Sequence, residues 1–343
     1  MSDVSETGIV EPVRGAARVN LLAIAVIVAA FALVPLASAA MDDPFLIKIG
    51  TRVLVFSIAA ASLNLVLGYG GLVSLLHSGL FGIGGYVVAI LAFHDFNAEP
   101  LFGFLPGTSN LAISLPLAVL VSGVAAALLG IVSLRTSGTY FIMITLAFNQ
   151  MLYYVFVALQ QYGGDDGLQI LGTLDFAGYD ITKRLPFFYL CLTVLAAVLI
   201  LLHRVVDSRF GLVLRACAQN ERRVVALGIP AIRYKLAAFA LSGALTGLAG
   251  ALLAAGQQFI SPADMSWVRS GDLVVMCVLG GMTTVWGPVI GAAVFLVFEL
   301  VLSSWTQNWQ LGFGLLIIAI VVFLKGGLVD LVRLPRFGRT RPA

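Results

Sequence analysis

The stretch LAAFALSGALTGLAGALLAAG, residues 236–256, runs for 21 residues without a charged side chain. A helix of that length covers about 30 Å, the thickness of the hydrocarbon layer of a bilayer. Gly243, Gly247 and Gly250 recur near one face of that helix, a spacing that lets a second helix approach closely. Just before it stands the basic segment FGLVLRACAQNERRVVALGIPAIRYK, residues 210–235. An apolar run of this length beside a basic segment reads as a span entering the membrane from a cytoplasmic loop.

Working outward, the chain yields ten apolar runs between polar breaks: 19–40, 45–67, 72–93, 111–134, 139–159, 186–203, 236–256, 271–285, 287–303 and 309–324. The runs are continuous rather than alternating, which predicts helices and not a barrel. Gly and Pro interrupt 280–291, so the eighth or ninth run reads equally as a half-span. The expected fold is all-α: a polytopic bundle of about ten spans (eight to ten) with Gly-broken helices. It is flanked by a short N-terminal segment 1–18 and a basic tail 325–343. Composition agrees: of 343 residues, 60% are hydrophobic and 11% charged, against about 25% charge in an average soluble domain. A cytosolic globular enzyme, a disordered chain and a disulfide scaffold are excluded.

Fifteen of the 20 Lys and Arg fall on one side when the N-terminus is placed inside, seven of them in 204–235. This positive-inside bias places both termini in the cytoplasm. The first run ends in Ala37-Ser38-Ala39, which resembles a cleavage site. Its apolar stretch of about 20 residues exceeds a signal peptide's 7–15, so it is read as a span. A net charge of +3 gives no footprint for nucleic acid.

The 204–235 loop carries an amphipathic helix from Leu212 to Leu227, with Gly228 at the C′ position, Ile229 after it and Pro230 as the stop. It is either an interfacial helix on anionic lipid or a docking element for a soluble subunit. In the outer loop 161–185, Gly163, Gly164 and Gly167 surround Asp165 and Asp166, but the acidic spacing is not that of a calcium loop. Cys191, Cys217 and Cys277 have no metal or redox spacing and are expected as free thiols. No metal or cofactor is expected on this chain.

Inside the runs, the uncharged polar groups Ser62, Asn64, Ser74, Thr145, Asn149 and Gln150 are candidates for helix–helix hydrogen bonds or a polar pathway. Glu299 is interfacial or faces a hydrated cavity. His77 beside Ser78 lacks a nucleophile-elbow setting, which argues against a hydrolase. Paired intramembrane carboxylates of an ion-coupled carrier are nearly absent, and so is a phosphate-binding GxxxxGK[ST] loop. Uphill transport then takes its energy from another subunit, through 204–235.

Five stretches carry a family resemblance: ASLNLVLGYGGLVSLLHSGLFGIGGYVVAIL (61–91), LRTSGTYFIMITLAFNQML (134–152), YGGDDGL (162–168), the segment 210–254, and VVMCVLGGMTTVWGPVIGAAV (274–294). The chain resembles the LivM-type permease subunits of branched-chain amino-acid ABC importers. The resemblance implies a non-enzymatic subunit of a bacterial inner-membrane complex. Its partners would be a second, LivH-type permease, two cytoplasmic ATPases that bind ATP and Mg, and a periplasmic binding protein. Similar permeases carry urea, amides or aromatic acids, and an ion-coupled secondary transporter is the alternative from another class. The resemblance also implies ATPase coupling at Gln219, Asn220, Glu221, Ala226, Leu227 and Gly228; the pathway expected from the polar groups of the runs themselves follows Asn64, His77, Ser78, Thr145 and Asn149. Val224, Val225 and Leu227 are expected to enter an ATPase groove, with Glu221 pairing with a partner base or capping backbone groups.

Overall fold

A computed structural model describes residues 14–41, 45–98, 100, 107–176, 179–180, 183–305, 310–312, 314–315, 317–318 and 327–329. Helices dominate: α1 Arg14–Ala32, α2 Val34–Met41, α3 Phe45–Asn64 with a π turn Leu65–Tyr69, α4 His77–Phe96 and α5 Leu111–Ser133. Then come α6 Thr139–Ala158, α7 Arg184–Asp207, α8 Arg209–Ala226, α9 Ala231–Gln257, α10 Trp267–Gly280 and α11 Gly287–Trp305. Among the described residues seven helices are long and apolar enough to cross a membrane: α3, α4, α5, α6, α7, α9 and α11. The chain is a polytopic helical membrane protein. Among the described residues short strands occur only in the connections, β1 Leu168–Gln169 with β4 Phe259–Ile260 and β2 Asp175–Phe176 with β3 Tyr179–Asp180.

Three runs read from sequence change shape. The run 19–40 is interrupted at Leu33, ahead of Pro35, whose missing N–H and fixed φ break the helical ladder. The run 72–93 starts late, because the π turn and Gly71 at φ +66° end α3 and leave 70–76 non-helical, so that α4 begins at His77. The run 271–285 is α10, which begins at Trp267 and has 14 residues. At about 21 Å it is too short to cross alone. Most of 309–324, and the segments 1–13 and 330–343, lie outside the described residues.

The longest helix, α9, sits at the centre and packs on α3, α4 and α5. The glycines read from sequence explain how. A Cβ on Gly84 of α4 would overlap the Gly247 carbonyl of α9, and one on Gly250 would overlap the Phe81 carbonyl of α4. The two backbones touch, so packing replaces the hydrophobic drive that lipid cannot supply.

Candidate functional site

Breaking α3 from α4 frees backbone groups that a bilayer cannot solvate. The polar side chains of the spans satisfy them. Leu75 N–H donates to Thr145 Oγ1 at 3.2 Å, and Leu76 N–H to Ser74 Oγ at 3.3 Å. The Leu75 carbonyl accepts from Ser270 Oγ of α10 at 2.7 Å. The link between α9 and α10 is held the same way: the Met265 carbonyl accepts from Asn149 Nδ2 at 2.9 Å and from Ser78 Oγ at 3.2 Å. Asn149 Oδ1 accepts in turn from Gly79 N–H at 2.7 Å and from Ser78 Oγ at 3.0 Å.

His77 anchors a second branch of this seam. Its Nε2 lies 2.9 Å from Ser242 Oγ, whose own proton goes to the Ser62 carbonyl at 2.6 Å. Ser242 therefore accepts from His77, fixing the Nε2–H tautomer, and Nδ1 accepts from Ser74 Oγ at 3.2 Å. Ser78 bonds to Asn149, Met265 and Ser270 rather than to His77, so the two adjacent residues form no nucleophile–base pair. Asn64 Nδ2 donates to the Thr284 carbonyl at 3.0 Å, joining the Gly-rich end of α3 to the turn between α10 and α11. Asn64, His77, Ser78, Thr145 and Asn149 are all buried. Their hydrogen bonds tie together α3, α4, α6, α9 and α10 within the chain.

The basic connection forms a protruding knob. α8 is not one continuous helix: Asn220 sits at φ −159°, ψ 96°, kinking it, and its Oδ1 accepts from Arg223 N–H at 3.1 Å. Asn220 thus caps a final short turn, a role that the sequence Asn220-Glu221-Arg222-Arg223 carries as an N-cap followed by an acid. The end of α8 is a complete Schellman motif. Gly228 lies at φ +80°, its N–H reaches the Val225 carbonyl at 2.9 Å, and Ile229 N–H reaches Val224 at 3.3 Å.

One expectation for this loop is corrected. Val224 is already buried with Cys217 and Ala231 of the same chain, whereas Val225 and Leu227 stand exposed, Leu227 at 78%. Glu221 pairs with Lys235 at the start of α9, Nζ to Oε2 2.6 Å. Gln219, Asn220, Glu221, Ala226, Leu227 and Gly228 are all exposed. Arg215 is spent on α7, donating to the Val206 carbonyl at 3.1 Å. Burial pushes the Cys217 thiol up, with Lys235 opposing and Glu221 adding to the rise. All three cysteines are free and buried.

Sequence reasoning missed a third feature. Arg52, within the run 45–67, lies inside α3 and pairs with Glu299 of α11, Nη2 to Oε1 3.2 Å. Arg269, in the first turn of α10, stands 3.9 Å from Asp264 and 3.7 Å from Asp272. Both guanidinium groups lie over the Phe56 ring, 5.8 and 5.9 Å from its centroid. The available signal was a pair of opposite charges, Arg52 and Glu299, each a few residues inside the end of an apolar run. A cavity of about 690 Å³ adjoins the cluster, with Lys48, Arg52, Arg184, Gln257 and Gln258 in its wall. Among the described residues no group of three or more His, Cys, Asp or Glu is arranged to hold a metal.

The family described as "Branched-chain amino acid transport system / permease component" matches residues 45–324. The chain is similar to the high-affinity branched-chain amino acid transport system permease proteins LivM of Salmonella typhimurium and Escherichia coli. Identity to the first is 28% over 311 residues, covering 84% of this chain and 70% of the relative. To the second it is 28% over 330 residues, covering 88% and 75%. A probable branched-chain amino acid transport permease protein LivH of Methanocaldococcus jannaschii is 26% identical over 259 residues, covering 71% and 75%. No solved structure matches the chain.

Proposed function

The chain belongs to the branched-chain amino acid transport permease family, and from that membership we propose that it is one permease of an ATP-driven importer in a bacterial inner membrane. It pairs with a second permease of LivH type to enclose the route. Two cytoplasmic ATPases, which carry the ATP and Mg, drive it, and a periplasmic binding protein delivers the solute. The cargo is a branched-chain amino acid. Both termini are cytoplasmic, and the chain makes ten passes counting α10 as an incomplete one.

The knob at the end of α8 carries this reading. It presents exposed Val225 and Leu227 on a tightly capped turn. It is also braced to the central helix by Glu221–Lys235 and by the Cys217–Val224–Ala231 contact. A soluble motor that grips the turn moves α9 as a rigid lever. The first part of α8 lies against the π turn of α3, and Gly71 stands beside Ala218, so the same push reaches the break before α4. The buried seam at Ser78, Thr145, Asn149 and Ser270 is then the joint that opens and closes, with Asn64 and His77 at its edges.

The test is uptake by proteoliposomes holding the assembled complex, using labelled leucine, isoleucine and valine, with urea, acetamide and phenylalanine as competitors. Uptake that requires both ATP inside and binding protein outside supports the reading. Uptake driven by an ion gradient without the ATPases would refute it and favour a secondary carrier.

A further inference from the structure

Arg52 lies seven residues below the start of α3 and Glu299 six before the end of α11, so each is about 10 Å beneath its helix end. The link that carries Asp264 is bonded to Asn149, midway along α6. Five ionisable groups therefore meet within the apolar layer. None is sealed inside the chain: side-chain exposure is 37% for Arg52, 32% for Arg269, 26% for Asp272, 19% for Glu299 and 17% for Asp264. Partly exposed charges at this depth do not face acyl chains.

The neighbourhood is open and incompletely paired. Gly271, on the same α10 face as Val268 and Asp272, has nothing within 4 Å of where a Cβ would stand. Within the cluster itself three carboxylates oppose two guanidinium groups, while Lys48 and Arg184 stand in the wall of the adjoining cavity. The buried hydroxyl of Tyr86 has no hydrogen-bond partner among the described residues and lies within electrostatic reach of Asp264. The first turn of α10, the positive end of a half-helix, carries Arg269 into the cluster. By contrast, the exposed face of α5, with Ile113, Leu117, Leu120, Val124 and Leu128, is wholly apolar and suits lipid.

We propose that Arg52, Asp264, Arg269, Asp272 and Glu299 line the outer part of the translocation route and receive the zwitterionic head of an α-amino acid. The ammonium goes to the surplus carboxylate, with Asp272 nearest the open face. The solute carboxylate goes to the guanidinium groups beside the α10 N-terminus. Both charges of the solute are met where water is being left behind, and the cluster's own pairs re-form once it moves on. This deepens the importer reading and rests on it.

The experiment uses the assembled complex with the single substitution Gly271→Cys, because that site tolerates a side chain and the native cysteines are buried. Charged methanethiosulfonate reagents are applied from the outer side. The new thiol should react at least about tenfold faster than Leu120→Cys on the α5 face, because thiolate forms only where water reaches. Cationic and anionic reagents of similar bulk should then leave leucine uptake differing at least threefold. A rate as slow as that of Leu120→Cys, in a complex that transports, would mean that lipid or the partner permease covers this face. Equal loss with both reagents would reduce the cluster to a structural tie. Either outcome overturns the proposal. A parent complex that takes up no amino acid instead counts against the importer reading, while the labelling rates still report on the cluster.

Discussion

Gly228→Val is the sharpest perturbation of the knob. At φ +80° an L-residue costs about 1–2 kcal/mol, and a β-branched one lies at the upper end. No steric clash adds to this, because nothing lies within 4 Å of the position a Cβ would take. The loss is therefore confined to the turn: escaping the strain gives up the Gly228–Val225 and Ile229–Val224 bonds and swings Val225 and Leu227 out of place. A local penalty of that size shifts the docking-competent population roughly 5- to 30-fold. The ATPases that co-purify with the permease, and binding-protein-dependent leucine uptake at matched expression, should fall together by about that factor. Asn tolerates the left-handed region, so Gly228→Asn should keep most of both activities. Gly138→Ala supplies the control: it lies at φ +62° with equally empty surroundings but at the start of α6. If Gly228→Val retains its ATPases and transports like the parent, or if Gly228→Asn fails as badly, the capped turn is not where force enters.

Further outcomes follow from the same geometry. Gly84→Ala and Gly250→Ala should cost at least about 1–3 kcal/mol of overpacking, read as a lower unfolding temperature in detergent, while Gly271→Ala should leave it unchanged. Asn149→Leu strands Gly79 N–H and leaves the Met265 carbonyl with Ser78 Oγ alone, and should cost on the order of 1–3 kcal/mol for the unpaired N–H; an unaltered unfolding temperature would contradict the seam. Because burial and Glu221 both raise the Cys217 thiol while Lys235 lowers it, its maleimide labelling should be slow at pH 7 and speed up as pH rises. Glu221→Gln should speed it further at fixed pH, and a slower rate would contradict the arrangement. A cysteine at position 175 should label from the outer face; labelling only from the cytoplasm would invert the topology.

Apolar run length made most of the fold legible, because a helix must satisfy every backbone group internally to cross a bilayer. The runs at 45–67, 111–134, 139–159 and 236–256 therefore match α3, α5, α6 and α9 closely. Hydropathy says nothing of where a ladder breaks, so 72–76 looked helical although Gly70 and Gly71 end the helix before it. The C-terminal cap of α8 could be read residue by residue, since Gly-Ile-Pro after an amphipathic run permits one ending. The kink at Asn220 could not, because a capping Asn and a mid-helix Asn look alike until tertiary contacts choose. Ser62, Ser74, His77, Ser78, Thr145 and Asn149 do come together, yet what they do for the backbone shows only once the α3–α4 break is seen beside Met265 and Ser270. The charge cluster was hardest to find. Its members come from positions 52, 264–272 and 299, and of these only Glu299 drew a reading when its run was taken alone. Only the return of α10 and α11 against α3 sets Arg52 beside Glu299, and it does so at a depth where unshared charge needs either a partner or a passing solute.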